Sequence, residues 1–556
     1  MLLKRRSFQA LLLSCLMYGS VLPAQKRGAE TDGQFPATTP RLVVGIVVDQ
    51  MRYDYLTRFW PHYGDQGFKR IVSQGFLGKN HHYNYAPTST GPGHASVYTG
   101  TTPSIHGIIG NNWYDKESGQ EVYCASDDAS SSVGTTTVAG KMSPHRLRVS
   151  TITDQLRLHT QMRGKVIAVA LKDRGAVLPG GHTANAAYWF EGGPEGKWVS
   201  SSYYMDALPE WVSRYNASGK NGQYKKVWDT EKKIASYVES GPDDNAFEGV
   251  FAGKERPTFP YDLPALWMAN GQYDLLRSTP FGNSITTDFA LQALEAESLG
   301  ADAIPDFLAI SYSSTDYIGH KFGVNSKEVQ DAYVRLDLEL ERLLKALDKQ
   351  VGEGEYTLFL TADHAAIHVP GYLQEQKIPA GYESSFRDRG EFREFLEFTY
   401  GTTDIIRNIS NHQIFLDHRL LESLDLNPRE VQEKLAAEIL QYGEVDKVYT
   451  AYQMQQEGYS RGIPYILQNG YNQKLSGDLL WVPRPGYASY GPTGSTHGSP
   501  HIYDTHVPLL LFGKGIRAGS TTERTEIPDI APTISVLMGM AFPNGTTGKP
   551  ISGALK

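Results

Sequence analysis

Four near-continuous apolar runs punctuate the chain. Residues 41–48 (R-L-V-V-G-I-V-V), 307–310, 356–360 and 507–512 (V-P-L-L-L-F) lack the alternation of a half-exposed strand, so each predicts a strand covered on both faces. Residues 166–171 form a further strand-like run. Helical patterns lie between them. The clearest, 326–349, sets Val329, Tyr333, Leu336, Leu340, Leu343, Leu344 and Leu347 on one face. Strands alternating with helices predict an α/β fold with a mostly parallel central sheet flanked by helices. Two stretches break the rhythm. Residues from about 180 to 280 are rich in Tyr, Trp, Gly and Pro, and residues from about 368 to 485 carry one helical pattern near 428–442 within irregular sequence. Both are read as insertions that cap the sheet. The expected organisation is a single domain over residues 41–556, behind a polar Gly/Thr/Pro linker at 25–40.

The first 24 residues stand apart. Lys4, Arg5 and Arg6 precede a mostly apolar stretch, residues 8–22, and Leu22-Pro23-Ala24 ends in a small residue. This is the pattern of a cleaved export signal. The alternatives are a retained anchor, for which the run is short, and lipidation at Cys15, which lies inside the run rather than at its end. No later stretch is apolar for long enough to span a bilayer. The sequence holds two cysteines, Cys15 and Cys124, so removal of the signal leaves no intramolecular disulfide. Stability then rests on the core and on any metals. A formal charge of −8 disfavours a general nucleic-acid surface, and no dense Lys/Arg run argues otherwise.

Candidate chemistry sits just past the predicted strands, where open parallel sheets bind ligands. Asp49 follows the first run and Asp363-His364 the run at 356–360. Asp316 and His320, spaced i, i+4 in S-S-T-D-Y-I-G-H, share a face if that segment is helical. His497 lies in a flexible Gly/Ser/Thr stretch, S-Y-G-P-T-G-S-T-H-G-S-P-H. Carboxylates and imidazoles are a usual zinc set. Each residue also has an ordinary reading as a helix cap or turn former. Sixteen histidines leave His81, His82, His94, His106, His501 and His506 open as further candidates. Thr90 precedes Gly91-Pro92-Gly93 and a short helical pattern, so its hydroxyl is either a group at a helix N-terminus or a cap. Asn111 falls in a turn-like Gly-Asn-Asn, and Lys172 and Arg174 in L-K-D-R-G form either a cationic clamp or a solvated charged turn.

The segments P-T-S-T-G-P-G-H-A-S from Pro87 and T-G-T-T-P-S-I-H-G-I-I-G-N-N-W-Y-D from Thr99, with V-V-D-Q-M-R, S-T-D-Y-I-G-H, T-A-D-H and S-T-H-G in order, resemble the alkaline phosphatase superfamily. They are especially similar to its nucleotide pyrophosphatase/phosphodiesterase branch and to the phosphate-irrepressible bacterial alkaline phosphatases. The resemblance covers roughly residues 40–555. It implies two zinc ions: Asp316, His320 and His497 hold the first, and Asp49, Asp363, His364 and Thr90 the second. It further implies Thr90 as nucleophile, Asn111 as donor to a phosphoryl oxygen, and Lys172 and Arg174 on the remaining oxygens. The lysine takes the place of a magnesium, so no third metal is expected.

These expectations describe an exported, periplasmic or secreted phosphomonoesterase. Its substrates are small phosphate monoesters, its intermediate is phospho-Thr90, and it has neither a nucleic-acid partner nor a stable membrane insertion. A monoester carries about two negative charges near neutral pH where a diester carries one, so extra cations favour the monoester. The alternatives are a phosphodiesterase on the same metal core and a non-catalytic metal-binding homologue. The sulfatase motif is absent at Thr90-Gly91-Pro92-Gly93-His94.

Overall fold

The computed structural model describes residues 35–556, so the predicted signal and most of the predicted linker lie outside the described residues. Pro36–Lys556 forms one compact unit. It begins earlier than the linker reading placed it, because Thr39 and Pro40 are already buried and the Thr39 N–H donates to Pro36 O at 2.8 Å.

The sheet that organises this unit is built from β1 (Leu42–Val48), β2 (Phe76–His82), β3 (Val166–Ala170), β4 (Ala186–Glu191), β5 (Lys197–Ser201), β6 (Asp306–Tyr312), β7 (Tyr356–Thr361) and β8 (His506–Gly513). Its order is β2-β8-β7-β1-β6-β3-β4-β5, with short strands extending both edges. The centre, β7-β1-β6-β3-β4, is parallel throughout. The flanks are antiparallel: β8 runs against β7, β2 against β8, and β5 against β4. Every residue of β1, β3, β6 and β7 is buried, which is why their sequences lack alternation.

Four helices carry or support the predicted site residues: α1 (Thr90–Thr99), α2 (Asp173–Gly180), α3 (Ser314–Phe322) and α4 (Lys327–Gln350). The seven apolar residues predicted on the α4 face are all buried, each worth about 1.5–3 kcal/mol relative to exposure. Ser326 caps α4 by accepting the Val329 N–H at 3.1 Å.

The two insertions differ. The boundary at about 180 was too early, because β4 and β5 continue the main sheet. Their aromatic sequences, A-A-Y-W-F-E and K-W-V-S-S, reflect burial at the sheet's flank rather than irregular chain. Further along, Trp228, Tyr237 and Tyr261 are fully buried, so these aromatics pack. The second stretch carries its own four-stranded antiparallel sheet, ordered Ile406–Ser410, Gln413–Leu416, Leu479–Pro483 and Val445–Thr450. A separate core around Phe392, Leu396, Ile414 and Leu435 supports it.

Candidate active site

The carboxyl ends of the parallel strands converge, and the predicted residues arrive there from five of the sheet's strands or their adjoining loops. Asp49 follows β1, Asp363 and His364 follow β7, and Asp316 and His320 lie on α3 after β6. Lys172 stands between β3 and α2, and His497 in the loop before β8. Asp49, Asp363 and His364 have no exposed surface, and Asp316 is 3% exposed.

Two overlapping sets have ligand atoms close enough to share an ion: Asp316, His320 and His497, and Asp49, Asp316 and His364. The first is the set expected for one zinc. In the second, Asp316 stands where Asp363 was expected. Asp363 remains adjacent, with Oδ1 3.8 Å from His364 Nε2, but the Gln50 N–H draws that oxygen away at 3.1 Å. Asp316 is thus shared: Oδ1 lies 3.1 Å from His320 Nε2 and 3.8 Å from His497 Nε2.

The imidazoles are prepared for metal. His320 Nδ1 lies 2.8 Å from Ser495 O, His497 Nδ1 2.7 Å from Thr88 O, and His364 Nδ1 3.0 Å from Ala365 O. A carbonyl only accepts, so each Nδ1 carries a proton and each Nε2 is turned to the centre; burial opposes charge on His320, but the Asp316 carboxylate outweighs it and raises the His320 pKa. Burial holds His364 down at about 3 and His497 well below its ordinary value, so both stay neutral. Asp49 Oδ1, Asp363 Oδ2 and His364 Nε2 are buried with no hydrogen-bond partner. Unpaired acceptors of this kind are costly in an interior, and a bound cation is the group they fit. Burial, reinforced by Asp316 and Asp363, pushes Asp49 well above the usual carboxylate range. Burial alone would raise Asp316 as well, but the charges of His320 and Lys172 hold it well below.

Thr90 is the first residue of α1 and is 1% exposed. The cap position belongs to Ser89, so the Thr90 hydroxyl does not cap the helix; the Lys172 ammonium approaches it at 3.5 Å. Lys172 is no solvated turn. It is 5% exposed and donates to Asp49 Oδ2 at 2.7 Å and Asp316 Oδ2 at 2.5 Å. Burial opposes its charge, but those two carboxylates outweigh it and raise its pKa. Arg174 donates to Tyr123 Oη at 3.1 Å, and its Nε is buried without a partner. Tyr123 in turn donates to Asp173, which anchors the guanidinium. Asn111 accepts the Gly91 N–H at 2.7 Å. Its oxygen is thereby occupied, which leaves the amide NH₂ as the group for an incoming ligand.

Four neighbours escaped the sequence reading or were left open by it. Gln50 adopts φ 62 and is 2% exposed; its N–H holds Asp363 and its Nε2 donates to Asp316 Oδ1 at 2.7 Å. A side chain at Gly319 would meet Gln50 Oε1 at 1.9 Å, which explains the glycine in S-T-D-Y-I-G-H. Similarly, a Cβ at Gly93 would lie 2.3 Å from Asp363 O, so α1 approaches the β7 loop only through glycine. His94 stands behind the helix start, with Nδ1 at 2.9 Å from Thr90 O and Nε2 at 2.9 Å from Ser311 Oγ. The remaining open histidines serve elsewhere: His81 bonds Thr525, His82 Asn80, His106 Ser96, His501 Pro483 O and His506 Lys79 O. Beside His320 opens a cavity of about 530 Å³ lined by Tyr317, Lys321, Tyr490 and Thr493.

Paired carboxylate–imidazole sets at the mouth of a parallel sheet, with a buried hydroxyl and two cations beside them, define a metal-dependent hydrolase site of the alkaline phosphatase superfamily. The chain belongs to the type I phosphodiesterase / nucleotide pyrophosphatase family, whose pattern it matches over residues 43–506. It is 41% identical to alkaline phosphatase PafA of Elizabethkingia meningoseptica, over 97% of this chain and 98% of that protein. It is likewise 41% identical to alkaline phosphatase PhoV of Synechococcus elongatus, with the same coverage. A relative from Myroides odoratus, 44% identical over 93% of this chain and 95% of its own, bears the name calcium-transporting ATPase. The crystal structure of wild-type alkaline phosphatase PafA superposes with a TM-score of 0.90 at 42% identity, covering 93% of this chain and 99% of that one. A solved variant of PafA is altered at a threonine, an asparagine, a lysine and an arginine.

Proposed function

We propose that this chain is an exported alkaline phosphatase that hydrolyses phosphate monoesters through a phosphothreonine at Thr90, with two zinc ions bound. The observation that carries the reading is the buried Lys172 ammonium, 3.5 Å from Thr90 Oγ, with Arg174 held two residues on. Two cations beyond the metal sets suit a dianionic phosphoryl group better than a diester. The enzyme names carried by PafA and PhoV, and the four residue types altered in the PafA variant, support the same reading.

Asp316, His320 and His497 would hold one ion, and Asp49 and His364 with Asp363 the other. When bound, the ions supply positive charge that favours the deprotonated Thr90 hydroxyl and stabilises charge on the leaving oxygen. The protein's own groups do the rest. The Asn111 amide, Lys172 and Arg174 hold the non-bridging oxygens in a preorganised, water-poor cradle. Thr90 Oγ, its proton released to solvent, attacks phosphorus in line with the ester oxygen, and the P–O ester bond breaks with its electron pair leaving on the alkoxide, which takes up a proton from solvent. Water then attacks phospho-Thr90 on the same line. The P–Oγ bond breaks, and inorganic phosphate and the Thr90 hydroxyl are regenerated. The cavity beside His320 gives the ester group room. The basic and apolar N-terminal residues support export to the periplasm or the exterior.

The name of the Myroides relative includes ATP hydrolysis, a phosphoryl transfer to water like the one proposed here. Among the described residues no helix is long and apolar enough to cross a membrane, and transport forms no part of this reading. Acid-quenched protein mixed with a monoester should carry one phosphate on Thr90 by peptide mass spectrometry. Thr90→Ala should lose that label together with turnover, while keeping its bound zinc. A label on another residue, or full turnover by Thr90→Ala, would remove the threonine from this role.

A further inference from the structure

The loop that carries His497 has no regular structure of its own. Residues 489–501 form neither helix nor strand, and Gly494 and Gly498 take φ 78 and φ 124, so the backbone on both sides of the histidine is intrinsically loose. Buried polar bonds hold it instead. On one side, the Ser495 N–H donates to Gly319 O on α3 and the Ile367 N–H to Thr496 O, both at 3.0 Å. On the other stands Asp504, 1% exposed, in the single helical turn Ile502–Thr505 that leads into β8. Its Oδ2 accepts both the Ser499 N–H at 2.8 Å and the Ser499 hydroxyl at 2.6 Å. Ser499 in turn reaches the nucleophile loop. Its carbonyl accepts the Thr88 hydroxyl at 3.1 Å, and Thr88, with no exposed surface, lies two residues before Thr90. The Thr88 carbonyl is the acceptor that orients His497. The backbone of Asp504 adds a further tie: its O accepts the Ala365 N–H at 2.9 Å, and Ala365 O faces His364 Nδ1 at 3.0 Å. The loops bearing Thr90, His364 and His497 therefore meet on one buried carboxyl and its serine.

We propose that Asp504 and Ser499 are positioning residues that set the Thr90 loop and the two histidine loops against one another without touching substrate or metal. The inference rests on the roles proposed above for Thr90, His364 and His497. Asp504 is an expensive way to fill an interior. Both of its bonds go to Oδ2, and Oδ1 is buried without a partner, so the bonds offset only part of the cost of burying the group. An apolar side chain would pack there at lower cost, but it could not hold Ser499. What the carboxyl supplies is therefore register between loops. Outer partners of metal ligands are typically worth about 10–100-fold in metal affinity or activity. Displacing a reacting group by about 1 Å costs on the order of 100-fold in rate.

The zinc-loaded full-length protein is compared with Asp504→Ala, Asp504→Asn, Ser499→Ala and Thr88→Val. One readout is the rate at which bound zinc passes to a zinc-binding dye, well below Tm and without substrate. The other is kcat and kcat/KM for p-nitrophenyl phosphate. Asp504→Ala should release zinc about 10–100-fold faster and lose kcat and kcat/KM by a similar factor. Asp504→Asn, whose amide oxygen takes the place of Oδ2, should recover most of both losses. Thr88→Val keeps the side-chain shape and leaves Asp504 intact but deletes the bond to Ser499 O, so it should lose about tenfold in kcat. Parental zinc release and parental kcat in Asp504→Ala and Thr88→Val, with only Tm lowered, would overturn the proposal and leave Asp504 a stabilising residue. An asparagine variant as impaired as the alanine variant would overturn the hydrogen-bond basis. If Asp504→Ala does not fold, Ser499→Ala and Thr88→Val decide, and parental behaviour in both overturns the proposal. Failure of the underlying reading looks different: Thr90→Ala would turn over fully, and zinc release alone would then decide the role of Asp504.

Discussion

Asn111 allows its two jobs to be separated by substitution. Its oxygen accepts the Gly91 N–H at 2.7 Å, next to Thr90, and its NH₂ is the group proposed to donate to the phosphoryl oxygen. Asn111→Asp keeps the acceptor and the shape but replaces the donor by an anionic oxygen. Asn111→Ala removes both. Losing one preorganised donor to a transition-state oxygen costs about 3–4 kcal/mol, or roughly 10²–10³ in kcat. Asn111→Asp adds repulsion, since two unit charges about 4 Å apart at an effective dielectric near 20 interact by ~4 kcal/mol. The alanine variant also leaves the Gly91 N–H unsatisfied, a stability cost of about 1–3 kcal/mol. Two assays check this, kcat/KM for p-nitrophenyl phosphate and thermal denaturation. The aspartate variant should melt close to the parent yet fall below the alanine variant in kcat/KM, while the alanine variant melts lower. An aspartate variant that retains parental kcat/KM, or that outperforms alanine, would refute the assignment of Asn111 as a phosphoryl donor.

Gln50→Ala should weaken metal retention by about 10–100-fold, because the side chain that fixes Asp316 is gone; competition with a zinc-binding dye reads this without turnover. Retention equal to the parent would leave Gln50 with a packing role only. Burial raises the Asp504 carboxyl to about 7, so the folded state holds its proton more tightly than the unfolded chain does. In the metal-free protein this group therefore makes stability fall as pH rises from about 4 to 7, by on the order of 3–4 kcal/mol. Asp504→Asn, which retains an acceptor for the Ser499 N–H, should flatten that slope in urea unfolding, and an unchanged slope would count against the assignment.

Fold class and site were legible for different reasons. A strand buried on both faces announces itself as an unbroken apolar run, so β1, β3, β6, β7 and β8 could be read directly. Direction could not, because periodicity is the same in either sense; β8 looked like its parallel neighbours and runs antiparallel to β7. β4 and β5 were missed because Tyr188, Trp189, Phe190 and Trp198 blended with the aromatic sequence that follows. Candidate ligands were legible as Asp and His just past strands, but their partition was not. That Asp316 stands between both sets depends on the rotation of α3 and on Gln50, and a lone glutamine carries no signal beyond its place after Asp49. The choice of Thr90 came from the family resemblance, since the sequence alone left its hydroxyl as either a group at a helix N-terminus or a cap. Lys172 illustrates the limit most sharply: K-D-R reads as a charged turn until the fold buries it between Asp49 and Asp316.

The central claim is that this core prefers the phosphate dianion of a monoester and that Lys172 and Arg174 supply the preference. The direct measurement is the ratio of kcat/KM for p-nitrophenyl phosphate to that for bis-p-nitrophenyl phosphate, on zinc-loaded protein, beside Lys172→Ala/Arg174→Ala. A strong monoester preference that collapses in the double variant is expected. A diester preference in the unsubstituted protein, or a monoester preference untouched by the double substitution, would contradict the claim.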